Sequence, residues 1–231
     1  MRVLVTRPRL DAARTASRLA ALGHRTIIDP VIEIEALPFE VDAAGISAIA
    51  FTSSNAVRIA AALDHLKNIP VFAVGTRTAE VAIEAGFRNV GAGAGEVNAL
   101  GELMAAELPK GARILHLAGE NLAGDLAGRL ARSGIKVETR VVYRARMATR
   151  LKPETVSAFR EGRIDVVLHY SERSAAAFVR LADSAGVGGD IGKTRHLCFS
   201  SAVAIPLKLF GVHSEIASAP EETALLELLG P

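Results

Sequence analysis

The chain has 231 residues, with 27 Lys and Arg against 25 Asp and Glu, for a net charge of +2. That balance, with no basic cluster, argues against nucleic acid as a partner, and 8 Phe, 2 Tyr and no Trp leave little for stacking on bases. A single cysteine, Cys198, excludes an intramolecular disulfide and a CxxC metal pair, and no apolar run approaches the roughly 20 residues of a membrane span.

The first residues, Met1-Arg2-Val3-Leu4-Val5, pass straight into a strand and leave no room for a secretory leader, so a cytoplasmic protein is expected. The strand over 2–7 leads into a helix over 11–22, with Ala13, Ala16, Leu19 and Ala20 on one face and Gly23 closing it. The chain returns through a strand, Arg25-Thr26-Ile27-Ile28, and then alternates with period two over 31–37. A second unit pairs a strand over 47–52 with a helix over 54–63, Ser54 or Asn55 standing near the N-cap. A third pairs 71–75 with a helix over 77–85 that ends at Gly86.

Gly91-Ala92-Gly93-Ala94-Gly95 is GxGxG, not the GxGxxG of a dinucleotide fingerprint, and reads as a flexible connection into a helix over 97–107. A fourth unit joins a strand over 113–117 to a helix over 121–132 that ends at Gly134. A long extended run follows over 137–145, and fifth and sixth units cover 164–182 and 196–211.

Short apolar runs alternating with helical patterns predict an α/β fold of parallel sheets covered by helices on both faces. The extended runs near 31–37 and 138–145 are long for internal connections. They are best used as a two-stranded β-ladder linker between two doubly wound, flavodoxin- or Rossmann-like domains. One domain would be residues 38–137. The other, discontinuous, would be 1–30 with 146–231. A single large sheet is the alternative.

Six strand-to-turn phrases recur along the chain, and each ends in small or hydroxyl residues. Helix N-termini present unpaired N–H groups and partial positive charge, so they suit anions. In an open α/β sheet, ligands bind beyond the carboxyl ends of the strands. The candidate ligand contacts are therefore Thr52, Ser53, Ser54, Asn55, Gly75, Thr76, Gly119 and Glu120 in one domain. In the other they are Ser171, Ser174, Ser200 and Ser201, with Arg7 and Arg173 as carboxylate partners by charge, though a solvated surface role accounts equally for either arginine. Plain helix capping accounts equally for any single Ser, Thr or Asn turn.

Neither GxxxxGK[ST] nor GxSxG occurs, and no two of the six histidines are spaced three or four apart as a helical metal pair would require. No metal site and no DxD or ExxE carboxylate pair is found. His116, His169 and His196 fall at or near strands, where a satisfied structural histidine is the default. Cys198, in an apolar strand, reads as a packing residue.

Val3-Leu4-Val5-Thr6-Arg7-Pro8, Phe51-Thr52-Ser53-Ser54-Asn55-Ala56-Val57 and Val74-Gly75-Thr76-Arg77-Thr78-Ala79 resemble the uroporphyrinogen-III synthase family. So do Ala85-Gly86-Phe87, Leu130-Ala131-Arg132-Ser133-Gly134 through Val142-Tyr143, and the last strand-to-helix unit ending at Gly211. Each motif is short; their order along nearly the whole chain carries the resemblance. It implies two α/β domains joined by a β-ladder and a cofactor-free cytoplasmic enzyme of tetrapyrrole biosynthesis. Its substrate would be hydroxymethylbilane, a linear tetrapyrrole with eight carboxylates. The enzyme would expel the terminal hydroxyl as water, invert the last pyrrole ring and close the macrocycle, with domain closure imposing the geometry. The resemblance further implies a monomer, in transient contact at most with the upstream hydroxymethylbilane synthase, and points to Tyr143 as a catalytic side chain.

One departure is in the last turn, where Phe199-Ser200-Ser201-Ala202-Val203 replaces a Gly-x-Thr-Thr type turn and shifts the hydroxyls earlier. A two-lobed small-molecule binding protein without catalysis is the alternative function. A nucleotide- or sugar-phosphate-using transferase would need a phosphate or metal motif that the sequence lacks.

Overall fold

The computed structural model describes residues 1–230. In chain order, β1 (Arg2–Val5), α1 (Arg9–Ala21), β2 (Arg25–Ile28) and β3 (Ile32–Ala36) are followed by β4 (Ala48–Phe51), α2 (Ser54–Ala60) and β5 (Val71–Ala73). Next come α3 (Thr76–Glu84), β6 (Val90–Ala92), α4 (Val97–Glu107), β7 (Arg113–Gly119), α5 (Leu126–Ala131) and β8 (Lys136–Met147). The rest is α6 (Pro153–Arg160), β9 (Val166–His169), α7 (Glu172–Ser184), α8 (Gly188–Ile191), β10 (Arg195–Cys198), α9 (Ser201–Leu209), β11 (Glu215–Ile216) and α10 (Glu222–Glu227). No helix among the described residues is long and apolar enough to cross a membrane.

The chain divides into two compact units, Met1–Glu33 with Arg146–Pro231, and Ile34–Ala145. In the first, the strand order is β2-β1-β9-β10-β11 and every neighbouring pair is parallel. Numbered within the unit, this is the 2-1-3-4-5 order whose switch point lies between β1 and β9. Val3, Val5, Val166, Leu168 and Leu197 face a core that Leu19 of α1 and Leu225 and Leu226 of α10 complete.

The second unit carries the order β8-β7-β4-β5-β6, again all parallel, with β3 beside β8 at the edge of the sheet. Counted from β4, this is the order 5-4-1-2-3, so the switch point lies between β4 and β7. Side-chain alternation along β4 and β7 divides the core into two layers. Ile49, Phe51, Leu115 and Leu117 pack with Val57 and Val81 on one face. Ala48, Ala50 and Ile114 pack with Leu100, Met104, Leu126 and Leu130 on the other. Both faces are buried, which is why these strands read as unbroken apolar runs. β3 runs antiparallel to β8, as the bonds from Leu37 N–H to Val142 O and from Ala148 N–H to Val31 O show.

Several local expectations are corrected. The buried face of α1 is Asp11, Ala12, Thr15 and Leu19, whereas Ala13 and Ala20 are exposed. Alanine is indifferent to burial, and Thr15 is drawn inward by a carboxylate more than two hundred residues away. The helix over 121–132 shortens to α5 because Gly124 is pressed against Val97 and Asp125 caps the helix by accepting the Gly128 N–H. The N-cap of α2 is Ser53, whose hydroxyl accepts the Asn55 N–H, rather than Ser54 or Asn55. The Gly91–Gly95 run is not a flexible connection. Its first half is β6, and Gly93 and Gly95 donate their N–H groups to the Ala73 and Val74 carbonyls.

Candidate active site

Four chain segments in the second unit meet beyond the carboxyl ends of β4 to β7. They surround a cavity of about 430 Å³ lined by Thr52, Val74, Gly95, Glu96, Val97, Asn98, Ala123 and Gly124. Thr52 follows β4, one side of the switch point. Gly75, at the N-cap of α3, packs so closely on this turn that a side chain on it would meet the Gly95 Cα at 3.1 Å. Gly93 is equally confined, since a side chain there would meet the Val74 carbonyl at 3.0 Å, and Gly95 supplies a φ of +97°, so the GxGxG run has a structural reason. Beyond it, Glu96 makes no side-chain capping bond to α4. The first-turn N–H groups, from Val97 and Asn98 onward, therefore keep their capacity for an anion.

Behind the cavity, Thr52 Oγ1 lies 3.1 Å from His116 Nε2, and His116 Nδ1 lies 3.3 Å from Thr139 Oγ1. His116 is buried on β7, and desolvation pushes its pKa down to about 4, so the ring is neutral near pH 7. At the end of the same strand, Gly119 sits opposite Tyr143 on β8, and Glu120 donates its N–H to the Tyr143 carbonyl. A methyl on Gly119 would come 2.5 Å from Tyr143 Cζ and 2.8 Å from its hydroxyl. The half-buried phenol therefore lies directly across the Gly119 backbone.

In the first unit, the switch-point residues serve one another. Glu222, on α10, accepts from Thr15 at 2.5 Å, Tyr170 at 2.9 Å, Arg7 at 3.1 Å and Arg18 at 2.8 Å, with Arg14 at 3.6 Å. The Arg7 guanidinium also lies 4.0 Å from the centre of the Tyr170 ring. Burial pushes the Glu222 carboxyl up, but the hydrogen bonds from Thr15 and Tyr170 and the arginine charges outweigh it and hold the pKa below the ordinary value. The Tyr170 phenol is pushed well above its usual range, by burial first and the Glu222 charge second.

His169 and His196 are stacked and buried between β9 and β10. His196 Nε2 donates to the Ile191 carbonyl at 2.9 Å, which leaves its Nδ1 as acceptor for His169 Nε2–H, also at 2.9 Å. His169 Nδ1 is then a buried acceptor without a partner. Cys198 is buried beside them, and desolvation raises its pKa to about 11, as suits a packing thiol.

The structure thus distributes the candidate contacts unevenly. Thr52 borders the cavity, Gly75 backs it, and Ser53 caps α2. Ser54 and Asn55 form the first turn of α2, where Asn55 Oδ1 accepts from Arg58, and Thr76 is exposed on α3. Gly119 and Glu120 lie against Tyr143. In the first unit, Ser171 caps α7 by accepting the Ser174 N–H, and the two hydroxyls are 2.5 Å apart. Ser200 begins α9 without a side-chain capping bond, and Ser201 is exposed beside it. Arg173 is exposed on α7, and Arg7 is engaged by Glu222. Sequence reasoning missed Glu96, Asn98 and Gly124, the role of His116, and the cluster of Arg14, Arg18, Tyr170 and Glu222.

Two open sheets, parallel except for β3 and one of them carrying a cavity at its switch point, define a doubly wound α/β protein of the kind that binds ligands beyond its strand ends. The particular family follows from comparison: the model of uroporphyrinogen-III synthase HemD matches residues 13–227, and the chain belongs to this family. Its activity is that of a cyclising lyase of tetrapyrrole synthesis, converting hydroxymethylbilane to uroporphyrinogen III. The fold is similar to that of uroporphyrinogen-III synthetase from Helicobacter pylori 26695, with 22% identity over 99% of this chain and 98% of that one, at a TM-score of 0.69. It is also similar to a mutant uroporphyrinogen III synthase from the extreme thermophile Thermus thermophilus, with 20% identity over 99% and 97% of the two chains and a TM-score of 0.53. No curated protein sequence matches significantly.

Proposed function

We infer that the cavity beyond β4 to β7 holds carboxylates of the linear tetrapyrrole, with Thr52 and the first turn of α4 as donors. The observation that carries this reading is the uncapped N-terminus of α4 opening on a space of about 430 Å³ at the sheet's switch point. The remaining turns, Ser53–Asn55, Gly75–Thr76, Gly119–Glu120, Ser171–Ser174 and Ser200–Ser201, are proposed to hold further carboxylates. Arg173 is proposed as an additional contact. Arg7 enters more weakly, since Glu222 already answers its charge.

The chemistry asks little acid of the protein. The pyrrole nitrogen pushes electrons toward the departing hydroxyl, which leaves with a proton as water, and the resulting electrophilic carbon is attacked by the last ring. The harder task is orientation, since ring closure without inversion gives the other isomer. We propose that the Tyr143 phenol donates a hydrogen bond to the leaving hydroxyl. Its placement across Gly119, at the switch-point strand, supports this. A wild-type rate in Tyr143→Phe would remove that role.

The β3–β8 pair, where the chain passes from one unit to the other, is proposed as the linker ladder between domains 1–30 with 146–231 and 38–137. A cytoplasmic monomer, meeting the upstream synthase transiently, completes the proposal. The deciding assay supplies hydroxymethylbilane from its upstream synthase and measures type III against type I uroporphyrinogen. A ratio equal to the enzyme-free reaction would favour a binding protein without catalysis.

A further inference from the structure

We propose that His116 is a positioning residue that fixes the Thr52 hydroxyl as a donor to a substrate carboxylate. The inference rests on the carboxylate reading of the cavity, and its test separates the two.

Strand register brings the parts together. Ala50 on β4 and Thr139 on β8 flank His116 on β7. Thr52 lies two residues beyond Ala50, so all four side chains leave the same face of the sheet. Ala48 and Ala50 keep that face open for an imidazole, which reaches Thr52 with one nitrogen and Thr139 with the other.

A neutral imidazole has one donor and one acceptor, so two proton arrangements satisfy these contacts. In the first, Nδ1–H donates to Thr139, Thr52 must donate to Nε2, and only lone pairs of Thr52 face outward. In the second, the Thr139 hydroxyl donates to Nδ1, Nε2–H donates to Thr52 Oγ1, and the Thr52 O–H is left to donate into the cavity. An anionic ligand selects the second. Its donors then run one way, from Thr139 through the ring to Thr52, each polarising the next.

The contrast with His196 sharpens the point. His196 anchors one nitrogen on a backbone carbonyl, as a packing histidine does. His116 places both nitrogens on hydroxyls, one of them at a cavity wall.

The test is steady-state kinetics on hydroxymethylbilane, with thermal unfolding measured alongside. The variants are Thr52→Val, His116→Leu, His116→Gln, Thr139→Val and the double Thr52→Val/His116→Leu. Thr52→Val should raise KM about tenfold, the loss of one hydrogen bond to a charged group. His116→Leu should raise KM about three- to tenfold with kcat within about twofold, and should add nothing in the Thr52→Val background. His116→Gln, whose amide can stand where Nε2 stood, should return KM to near wild type.

If Thr52→Val leaves KM unchanged, the carboxylate pocket falls and this inference with it. If Thr52→Val raises KM but His116→Leu lowers only the melting temperature, or adds its effect in full to the double variant, the pocket stands and the inference falls. Should His116→Leu fail to fold, Thr139→Val carries the test: it keeps the ring but removes the donor that sets its tautomer. A KM rise of about threefold is expected there, and no rise overturns the proposal.

Discussion

Glu222 holds α10 to α1 and to the turn after β9, and removing its carboxylate should damage the first unit more than any other single charge deletion. The side chain is 9% exposed and lies within hydrogen-bond reach of Thr15, Tyr170, Arg7 and Arg18. In Glu222→Ala, Arg14 and Arg18, each 40% exposed, can turn into solvent at little cost. Arg7, at 18%, cannot do so freely. The Thr15 and Tyr170 hydroxyls lose their acceptor as well. Breaking a buried ionic network by removing one partner costs about 3–5 kcal/mol. Because two of the three arginines escape, the lower end, about 3 kcal/mol, is expected.

For a chain of this length, a loss of that size lowers the melting temperature by about 6–12 °C. Glu222→Gln keeps the shape and one acceptor oxygen but not the charge, and should fall near half of that loss. Urea unfolding followed by circular dichroism measures both, with exposed Glu227→Ala as a control near zero. The carboxyl has a folded pKa below its unfolded value, so its stabilisation is present above about pH 4.3 and fades as pH falls through the folded pKa. A Glu222→Ala protein within about 0.5 kcal/mol of wild type at pH 7 would refute the argument, since it would mean that the arginines and the phenol need no carboxylate.

His169 and His196 should make the first unit acid-sensitive in a higher window. Burial lowers both pKa values, His196 to about 4, so the unfolded chain binds protons first and stability drops as pH goes from about 6.5 to 4. The His196 share is on the order of 3 kcal/mol, and an unchanged slope of urea midpoint against pH in a His169→Leu/His196→Leu protein would count against it. Gly119→Ala should lose about 2 kcal/mol of stability and much of its activity, because the new methyl displaces the Tyr143 ring. Wild-type unfolding together with a wild-type rate would mean that the ring has room to move without consequence. Glu96→Gln removes an exposed negative charge from the cavity wall and should lower KM by about two- to fivefold at low salt, with the gain disappearing at high ionic strength. A KM indifferent to this change would place the substrate carboxylates elsewhere.

How much of this could be read from the chain depends on how local its cause is. The strand Ala48–Phe51 is buried on both faces and announces itself as an apolar run. The helix Val97–Glu107 has its expected limits because its spacing of Leu100 and Met104 is a local property. The buried face of α1 was not legible, since Thr15 is inside only because Glu222 arrives from the far end of the chain. Nor was the role of Gly93, whose reason is close contact with the Val74 carbonyl, or of Gly95, whose φ is +97°. His116 looked like any strand histidine until register set it between Thr52 and Thr139. In each case periodicity reported which side of an element is apolar. It carried nothing about which polar group waits on that side.

The same distinction bears on the turns that first suggested an anionic ligand. Capping and ligand binding are competing explanations of a serine only if the cap exhausts its hydroxyl, and it does not. Ser53 and Ser171 accept backbone N–H groups through oxygen and keep their own hydrogens to donate. An oxygen that accepts from a helix N–H is polarised by it, which strengthens the outward donor. For Ser171 that hydrogen has an internal alternative in Ser174, 2.5 Å away, so a ligand must offer a better acceptor than a neighbouring hydroxyl. A carboxylate does. As a proposed substrate contact, the Ser171–Ser174 pair would therefore be selective for charge, its two hydroxyls paired with each other in the structure and open only to a stronger acceptor.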